Sequence, residues 1–468
     1  MHAFRDPILA AFGRLVERDP ERLLVASPRR AWSSGDLDRA SAALATRLTA
    51  SGLDAGDALA LSAAPGPAFL AGYLAIRRLG AVPVLCDAAP PTADRLAALD
   101  RLGVVATLAA EDGWCGAERW GLDVRPHAGR SRCDPAWGAI KLSSGSTGDP
   151  RGIAVTSEAL AADEAQLASS MGVGADDRIL VAVPMAHSYG FSSIVLPALV
   201  RGARLLVPEE SGALAPLAPL EVARQLEATF FPTVPAYLRG LVRLASLELP
   251  PSLVRVIAAG APLRPETAAA FRARTGRPVH VFYGASECGG ITYDRAGDAA
   301  ERGTVGAPVD GVDLSIESGS GRLRIRSAAV AERYLPDGSP ELDGGSFLSG
   351  DRAAWADGEI RLVGRADDLV IVRGRNVQPH EVERVLASYP GVEEVAVLGV
   401  EGPEGPRTLL RAVIATGVAA FDRAAALAYC RERLAEHKVP RSLIVVRQLP
   451  RTARGKLDRA ALAALADR

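Results

Sequence analysis

Alanine-rich stretches with helical spacing alternate with short β-branched runs through the first three quarters of the chain. Examples are Ala68–Leu79 followed by Ala81–Leu85, and Pro265–Thr275 followed by Pro278–Phe282. That alternation is the signature of α/β layers around largely parallel sheets. Near residues 303–325 the rhythm changes to short runs, Val312–Ile316 and Gly321–Ile325, separated by Gly, Asp and Ser. These predict antiparallel hairpins and a small β-barrel. A further hairpin is expected around Asp357 and Gly358, ahead of the charged turn Gly364–Asp368. Beyond it the pattern predicts strand Leu369–Arg373, helix Pro379–Ser388, strands Val392–Val400 and Leu410–Ala415, helix Asp422–Ala435 and strand Leu443–Arg447. The expected fold class is α/β. Residues 1–366 are expected to form a large N-terminal domain of layered α/β subdomains plus the barrel, and residues 367–468 a small α+β C-terminal domain.

A length of 468 residues leaves room for more than one buried core. Lys and Arg total 54 against 55 Asp and Glu, a formal charge of −1, so electrostatics give no reason to expect nucleic acid or an anionic membrane as partner. Only Lys141, Lys438 and Lys456 among those bases are lysine. A chain that writes its cations as arginine gives weight to any lysine standing where chemistry demands one. The cysteines, Cys86, Cys115, Cys133, Cys288 and Cys430, are scattered without a C-x-x-C pair, which argues against a disulfide framework or structural zinc. The start of the chain has no apolar signal core, and the weakly charged stretch Ile179–Val200 is interrupted by Pro184, His187 and Pro197. It suits a strand, loop and helix better than a membrane span, and a cytoplasmic location is expected.

The segment Lys141–Gly152 concentrates Gly145, Gly148, Pro150 and Gly152 with Ser143, Ser144, Ser146 and Thr147. Glycines let backbone N–H groups turn toward an anion and hydroxyls add donors, so the loop can wrap phosphates. Alone, the same composition also fits a surface turn. It is neither a Walker A loop nor G-x-G-x-x-G.

This segment resembles the phosphate loop of the adenylate-forming enzymes, the superfamily of acyl- and aryl-CoA synthetases, peptide-synthetase adenylation domains and luciferases. Further segments follow in that family's order. Leu79–Val84 is similar to its early structural motif, Tyr283–Glu287 to its Tyr-Gly-x-Thr-Glu, and Ser349–Asp351 to its Thr-Gly-Asp. Gly364–Asp367 is similar to its hinge and Pro450–Lys456 to its C-terminal lysine loop. The resemblance implies ATP-dependent activation of a carboxylic acid to acyl-AMP with release of pyrophosphate, then transfer to a thiol, with ATP, Mg2+ and CoA as the small molecules involved.

Joining a carboxylate to the α-phosphate of ATP brings two anions together, so the site must neutralise charge and hold three groups in line. By resemblance, Ser143, Ser144, Gly145, Ser146, Thr147 and Gly148 hold the β- and γ-phosphates. Arg151, where the family usually has lysine, is a sound phosphate partner because of its fork of donors. Gly260, Ala261, Pro262, Tyr283 and Gly284 are expected beside the nucleotide, with Tyr283 stacked on adenine. Ser286 and Glu287 face the α-phosphate and Mg2+, which Thr147 also approaches, since a hard cation prefers carboxylate and phosphate oxygens. Asp351 accepts the ribose hydroxyls and Arg365 adds a contact to ribose or phosphate. Lys456 is read as the catalytic lysine, a compact ammonium that bridges the incoming carboxylate and the α-phosphate. It lies in a C-terminal cap that is therefore expected to be mobile, rotating at Asp367. Gly374 is expected to approach the thiol's tunnel, although its spacing also fits a turn glycine.

Val183–Gly190 resembles the segment that carries a His or aromatic residue beside the carboxylate in CoA synthetases, and His187 is the candidate. Amino-acid-activating relatives usually place an Asp there to bind the α-ammonium. None stands between Val183 and Ser193, so the partner is expected to be a small carboxylic acid without an α-amino group. Phe230–Tyr237, Ala258–Pro262 and Gly289–Thr292 are expected to line its pocket. Cys288 has no identifiable His and carboxylate partners and is read as packing. Two alternatives stay open: an adenylation enzyme loading the phosphopantetheine of an acyl carrier protein, and a non-catalytic relative that binds a nucleotide or acyl ligand.

Overall fold

Local signals set the helix boundaries. Asp6 caps helix Pro7–Arg18 by accepting from Ile8 N and Leu9 N, with Pro7 at the first helical position. Ser33 and Asp36 form a reciprocal capping box at helix Ser34–Ala50. Thr156 caps Ser157–Met171, which ends at Gly172 in the left-handed conformation. Helix Pro67–Arg78 is buried on every side from Pro67 to Arg77, so it lies inside the layers rather than on top of them. The computed structural model describes residues 6–88, 93–124, 132–144, 150–209, 217–366, 370–372, 375–402, 405–418, 420–451 and 457–466.

The chain divides into two compact units. The first comprises Met1–Ser315, Arg324–Leu348 and Trp355–Ile360; the second comprises Ile316–Leu323, Ser349–Ala354 and Arg361–Arg468. The first holds two large sheets. One has seven strands in the order Arg333–Leu335, Pro150–Thr156, Trp137–Ser144, Val82–Cys86, Ala58–Ala63, Val104–Ala110, Gly121–Val124. Its central strands run parallel, and Trp137–Ser144 folds back on Pro150–Thr156 as an antiparallel pair. The other has nine strands, with Phe230–Thr233, Arg255–Ala258 and His280–Ala285 parallel neighbours and Gly289–Tyr293 returning antiparallel. The expected alternation is thus present. Helix Pro265–Thr275 falls on its expected residues, and the strand expected at Pro278–Phe282 forms at His280–Ala285.

The second unit has its own core, built from Val370, Val377, Val382, Leu386, Leu410, Ala412, Ile414, Ala426 and Cys430 with their neighbours. Its three-stranded sheet joins Glu394–Gly402 antiparallel and Ser442–Val446 parallel to Gly405–Ala415. Helices Pro379–Ala387 and Arg423–Arg433 lie close to their expected positions, the latter capped by Asp422. Helix Arg459–Ala466 and strand Arg375–Val377 were not anticipated.

One buried cation ties the first unit together. Arg77, 3% exposed, donates Nε to Asp6 Oδ2 at 2.7 Å, Nη1 to the carbonyls of Ala81 and Trp137, and Nη2 to the Pro135 carbonyl and Ser157 Oγ. All five of its N–H groups are used. Removing one partner from such a buried pair strands the other, so Arg77→Met is expected to destabilise the protein by about 3–5 kcal/mol. Arg77→Lys should fail to restore it, because an ammonium cannot reproduce the fork. Urea unfolding followed by tryptophan fluorescence measures both; a loss under about 1 kcal/mol for Arg77→Met would contradict the assignment.

Candidate active site

In open α/β sheets, ligands bind beyond the carboxyl ends of parallel strands. Two sets of such ends concern this site. In the seven-stranded sheet, Val82–Cys86 ends at Asp87, and its parallel neighbour Trp137–Ser144 ends in Ser143 and Ser144. Ser143 pairs with Arg151 and Ser144 with Pro150 across the hairpin, which places the exposed Arg151 at the mouth of the loop. In the nine-stranded sheet, Arg255–Ala258 leads to the exposed turn Gly260–Pro262, and the parallel strand beside it carries Tyr283–Ala285 and then Ser286 and Glu287. Gly260 has φ +83° and open space where a Cβ would stand, so nothing crowds the turn on that side.

Side chains connect the two sheets. Tyr334, on strand Arg333–Leu335, donates its hydroxyl to Glu287 Oε1 at 2.9 Å, and Ala331 N bonds the Glu287 carbonyl at 2.7 Å. Ser188 Oγ donates to Ser286 Oγ at 2.7 Å, while the adjacent His187 brings Nε2 within 2.7 Å of Asp87 Oδ1. Asp163, buried on helix Ser157–Met171, accepts from Ser192 Oγ at 2.5 Å and from Gly290 N at 2.9 Å. Ser192 belongs to a single π-helical turn, Phe191–Val195, an element often found at functional sites. Gly289 has φ +68°, and a Cβ there would stand 2.1 Å from Asp163 Oδ1, so the close approach of turn and helix requires glycine.

The structure therefore gathers His187, Ser286 and Glu287 into one network, with Tyr283 and Gly284 on the strand leading into it. Asp351 and Arg365 meet each other in the second unit, where Arg365 Nη1 donates to Asp351 Oδ1 at 3.0 Å. Of the other expected site residues, Gly145, Ser146, Thr147, Gly148, Asp367, Gly374 and Lys456 lie outside the described residues; for Ser143 and Ser144 the backbone alone is described. Sequence reasoning missed Asp87, Asp163, Ser188, Ser192 and Tyr334. An acid just past a buried strand could have drawn attention to Asp87; Tyr334 and Asp163 reach the site only through tertiary contacts and carry no local signal.

The electrostatics follow from burial. Lys141 is 2% exposed on strand Trp137–Ser144; burial pulls its ammonium below the usual lysine range, opposed by Asp163, Cys288 and Glu287. Burial pushes the Cys288 thiol well above its ordinary value, and the neighbouring Glu287 and Asp163 push it further. Burial and then Glu287 raise the Tyr334 hydroxyl, which keeps it protonated as the donor. Glu287 thus offers a carboxylate whose Oε1 is held by Tyr334, next to the Ser286 hydroxyl. These are hard oxygen donors of the kind Mg2+ takes alongside nucleotide phosphates.

The chain belongs to the AMP-binding enzyme family. The family model for AMP-binding enzymes matches residues 12–335, and that for the AMP-binding enzyme C-terminal domain matches residues 381–456. Among relatives, it is 29% identical over 475 residues to a feruloyl-CoA synthase from an Amycolatopsis species, covering 95% of this chain and 96% of that protein. Among solved structures, ATP-bound MatB from Rhodopseudomonas palustris matches with a TM-score of 0.83 and 25% identity, over 98% of this chain and 99% of that one. The o-succinylbenzoate CoA synthetase (MenE) from Bacillus subtilis, solved with its acyl-adenylate intermediate OSB-AMP, shares the fold with a TM-score of 0.83 at 23% identity, over 98% of each chain. Among the described residues no helix is long and apolar enough to cross a membrane.

A thiol held protonated by burial is a poor nucleophile. In the native protein at pH 8, Cys288 should therefore alkylate at least about tenfold more slowly than in urea. Peptide mapping after timed maleimide treatment reads this residue by residue, and rapid native labelling at Cys288 would refute its packing role.

Proposed function

We infer that the protein is an AMP-forming acid–CoA ligase. In the first half-reaction a carboxylate oxygen attacks the α-phosphorus of ATP, the bond to the β-phosphate oxygen breaks, and pyrophosphate leaves. In the second, the CoA sulfur attacks the acyl carbon, AMP departs with the bond's electron pair, and the thiol proton is released. The observation that carries this reading is the network joining Tyr334, Glu287, Ser286, Ser188, His187 and Asp87 at the carboxyl ends of two sheets, in a chain matched by both family models.

The roles follow from the chemistry of each group. Ser143–Gly148 and Arg151 cradle the β- and γ-phosphates with backbone and side-chain donors. Gly260, Ala261 and Pro262 leave the adenine side of the site open, and Tyr283 offers a face for stacking. Glu287, with Thr147, would hold Mg2+, which when bound neutralises phosphate charge. Ser286 directs its hydroxyl toward the α-phosphate. Asp351 accepts from the ribose hydroxyls, with Arg365 beside it. His187 orients the acid. Lys456, carried by the C-terminal domain of residues 367–468 about a hinge at Asp367, places its ammonium between the two reacting anions. Gly374 lines the thiol's approach.

The acid is read as one without an α-ammonium, because no Asp stands between Val183 and Ser193 to bind one, and Asp87 lies against the His187 imidazole. Strands Phe230–Thr233 and Gly289–Tyr293 are buried throughout and present small and apolar residues to an aryl or aliphatic tail. CoA is favoured as acceptor because the feruloyl-CoA synthase and MenE are named for it. All five cysteines are free, as a reducing cytoplasm would keep them.

Pyrophosphate release measured across a panel of carboxylic acids, with CoA, with a holo acyl carrier protein or with neither, tests this reading. Acid-dependent release followed by thioester formation with CoA is expected. Turnover with the carrier protein alone would reassign the acceptor, and no release with any acid would favour a binding role. Lys456→Ala should lower pyrophosphate release by about 100-fold or more while still converting supplied acyl-AMP to thioester. A bulky residue at Gly374 should do the reverse, and equal loss of both half-reactions in either variant would contradict its role.

A further inference from the structure

Lys141 is one of three lysines in the chain, is almost wholly buried, and has no place in the mechanism above. Its position in the sheet is informative. Tyr334 pairs with Ile153, Ile153 with Lys141, and Lys141 with Leu85, so these four residues stand in one row across four adjacent strands. Directly paired residues share a face of a sheet. Tyr334 and Lys141 therefore stand two strands apart on the same side, with the apolar Ile153 between them. Tyr334 spends its hydroxyl on Glu287. Lys141, buried on that face, feels the charges of Asp163 most strongly and then of Cys288 and Glu287. Asp163 in turn grips the far side of the Glu287 turn through Gly290 N.

A buried cation costs free energy unless opposing charge offsets it, and neither Ile153 nor Leu85 contributes any. The two carboxylates do. Resting on the adenylation reading, we propose that Lys141 is a positioning residue for the reaction: its ammonium, from the sheet beneath, fixes the Glu287 carboxylate against the Tyr334 hydroxyl. It touches neither nucleotide nor acid in this role. With Asp163 and Glu287 ionised, the three groups sum to −1; without the lysine they sum to −2, and Glu287 loses the charge that orients it.

Lys141→Met and the charge-balanced Lys141→Met/Asp163→Asn test this in the full-length protein. In Lys141→Met, kcat for acid-dependent pyrophosphate release should fall by about tenfold or more with KM for ATP changed by no more than about threefold. Calorimetric binding of α,β-methylene-ATP over a Mg2+ series supplies a readout independent of turnover. Half-saturating Mg2+ should fall by about threefold, because a positive charge facing the carboxylate has gone. The double variant should regain the wild-type melting temperature while kcat stays depressed. If the lysine merely balances Asp163, the double variant recovers kcat and the inference fails; it fails equally if Lys141→Met leaves kcat and the Mg2+ dependence unchanged. Should Lys141→Met not fold, the double variant is read against Asp163→Asn alone: kcat lower than in Asp163→Asn supports the inference, and equal kcat overturns it. Wild-type pyrophosphate release is the separate control on the adenylation reading.

Discussion

The guanidinium of Arg77 sets the frame from which the site projects. Its five hydrogen bonds hold the cap of helix Pro7–Arg18, the approach to strand Trp137–Ser144 at residues 135 and 137, and the first residue of helix Ser157–Met171. From that anchor the strand runs roughly 20 Å to Ser143, and the helix climbs roughly 9 Å to Asp163. Both are rigid elements, so fixing their origins fixes where the serine-rich loop departs and where the Asp163 carboxylate meets Gly290. The pair Arg77–Asp6 is buried at both ends, so loss of either partner would leave the other charge stranded inside the unit.

How much of this was legible in the sequence depended on distance along the chain. Helix Pro265–Thr275 was readable because its signals are local, a proline at the first turn and Gly276 in the left-handed conformation after the last. Asp422 announced helix Arg423–Arg433 in the same way. Helix Arg459–Ala466 was missed although Asp458 accepts from Ala461 N at its start, because the basic run before it dominated the pattern. Strand Arg333–Leu335 has three residues, too few for periodicity, and exists because Pro150–Thr156 offers an edge to pair with.

The site divides along the same line. Tyr283–Glu287 is contiguous, so its chemistry could be read as a motif. Its supports could not: Tyr334 reaches Glu287 across 47 positions, Ser188 reaches Ser286 across 98, and Asp163 reaches Gly290 across 127. Each is an ordinary residue by type, and only the folded register gives it a role. The residues of the motif are thus announced by sequence, while the residues that hold them in place are announced by topology, and preorganisation depends on the second set.

Why the chain departs from arginine at position 141 can be argued from its treatment of Arg77. A buried guanidinium presents five N–H groups in a rigid fork, and Arg77 is tolerated because carbonyls and hydroxyl oxygens meet every one. Position 141 differs among the described residues: its partners across the sheet are Leu85 and Ile153, and the carboxylates near it are engaged with Tyr334, Ser192 and Gly290 N. An arginine there would have to place five N–H groups among apolar strand neighbours and carboxylates that already accept from Tyr334, Ser192 and Gly290 N. An ammonium supplies the same unit of charge as a compact point on a flexible stem, so it can oppose Asp163 and Glu287 together without a fixed set of acceptors. Lysine at 141 thus has a local physical reason on the proposed role: a compact charge suits that buried point better than a rigid fork.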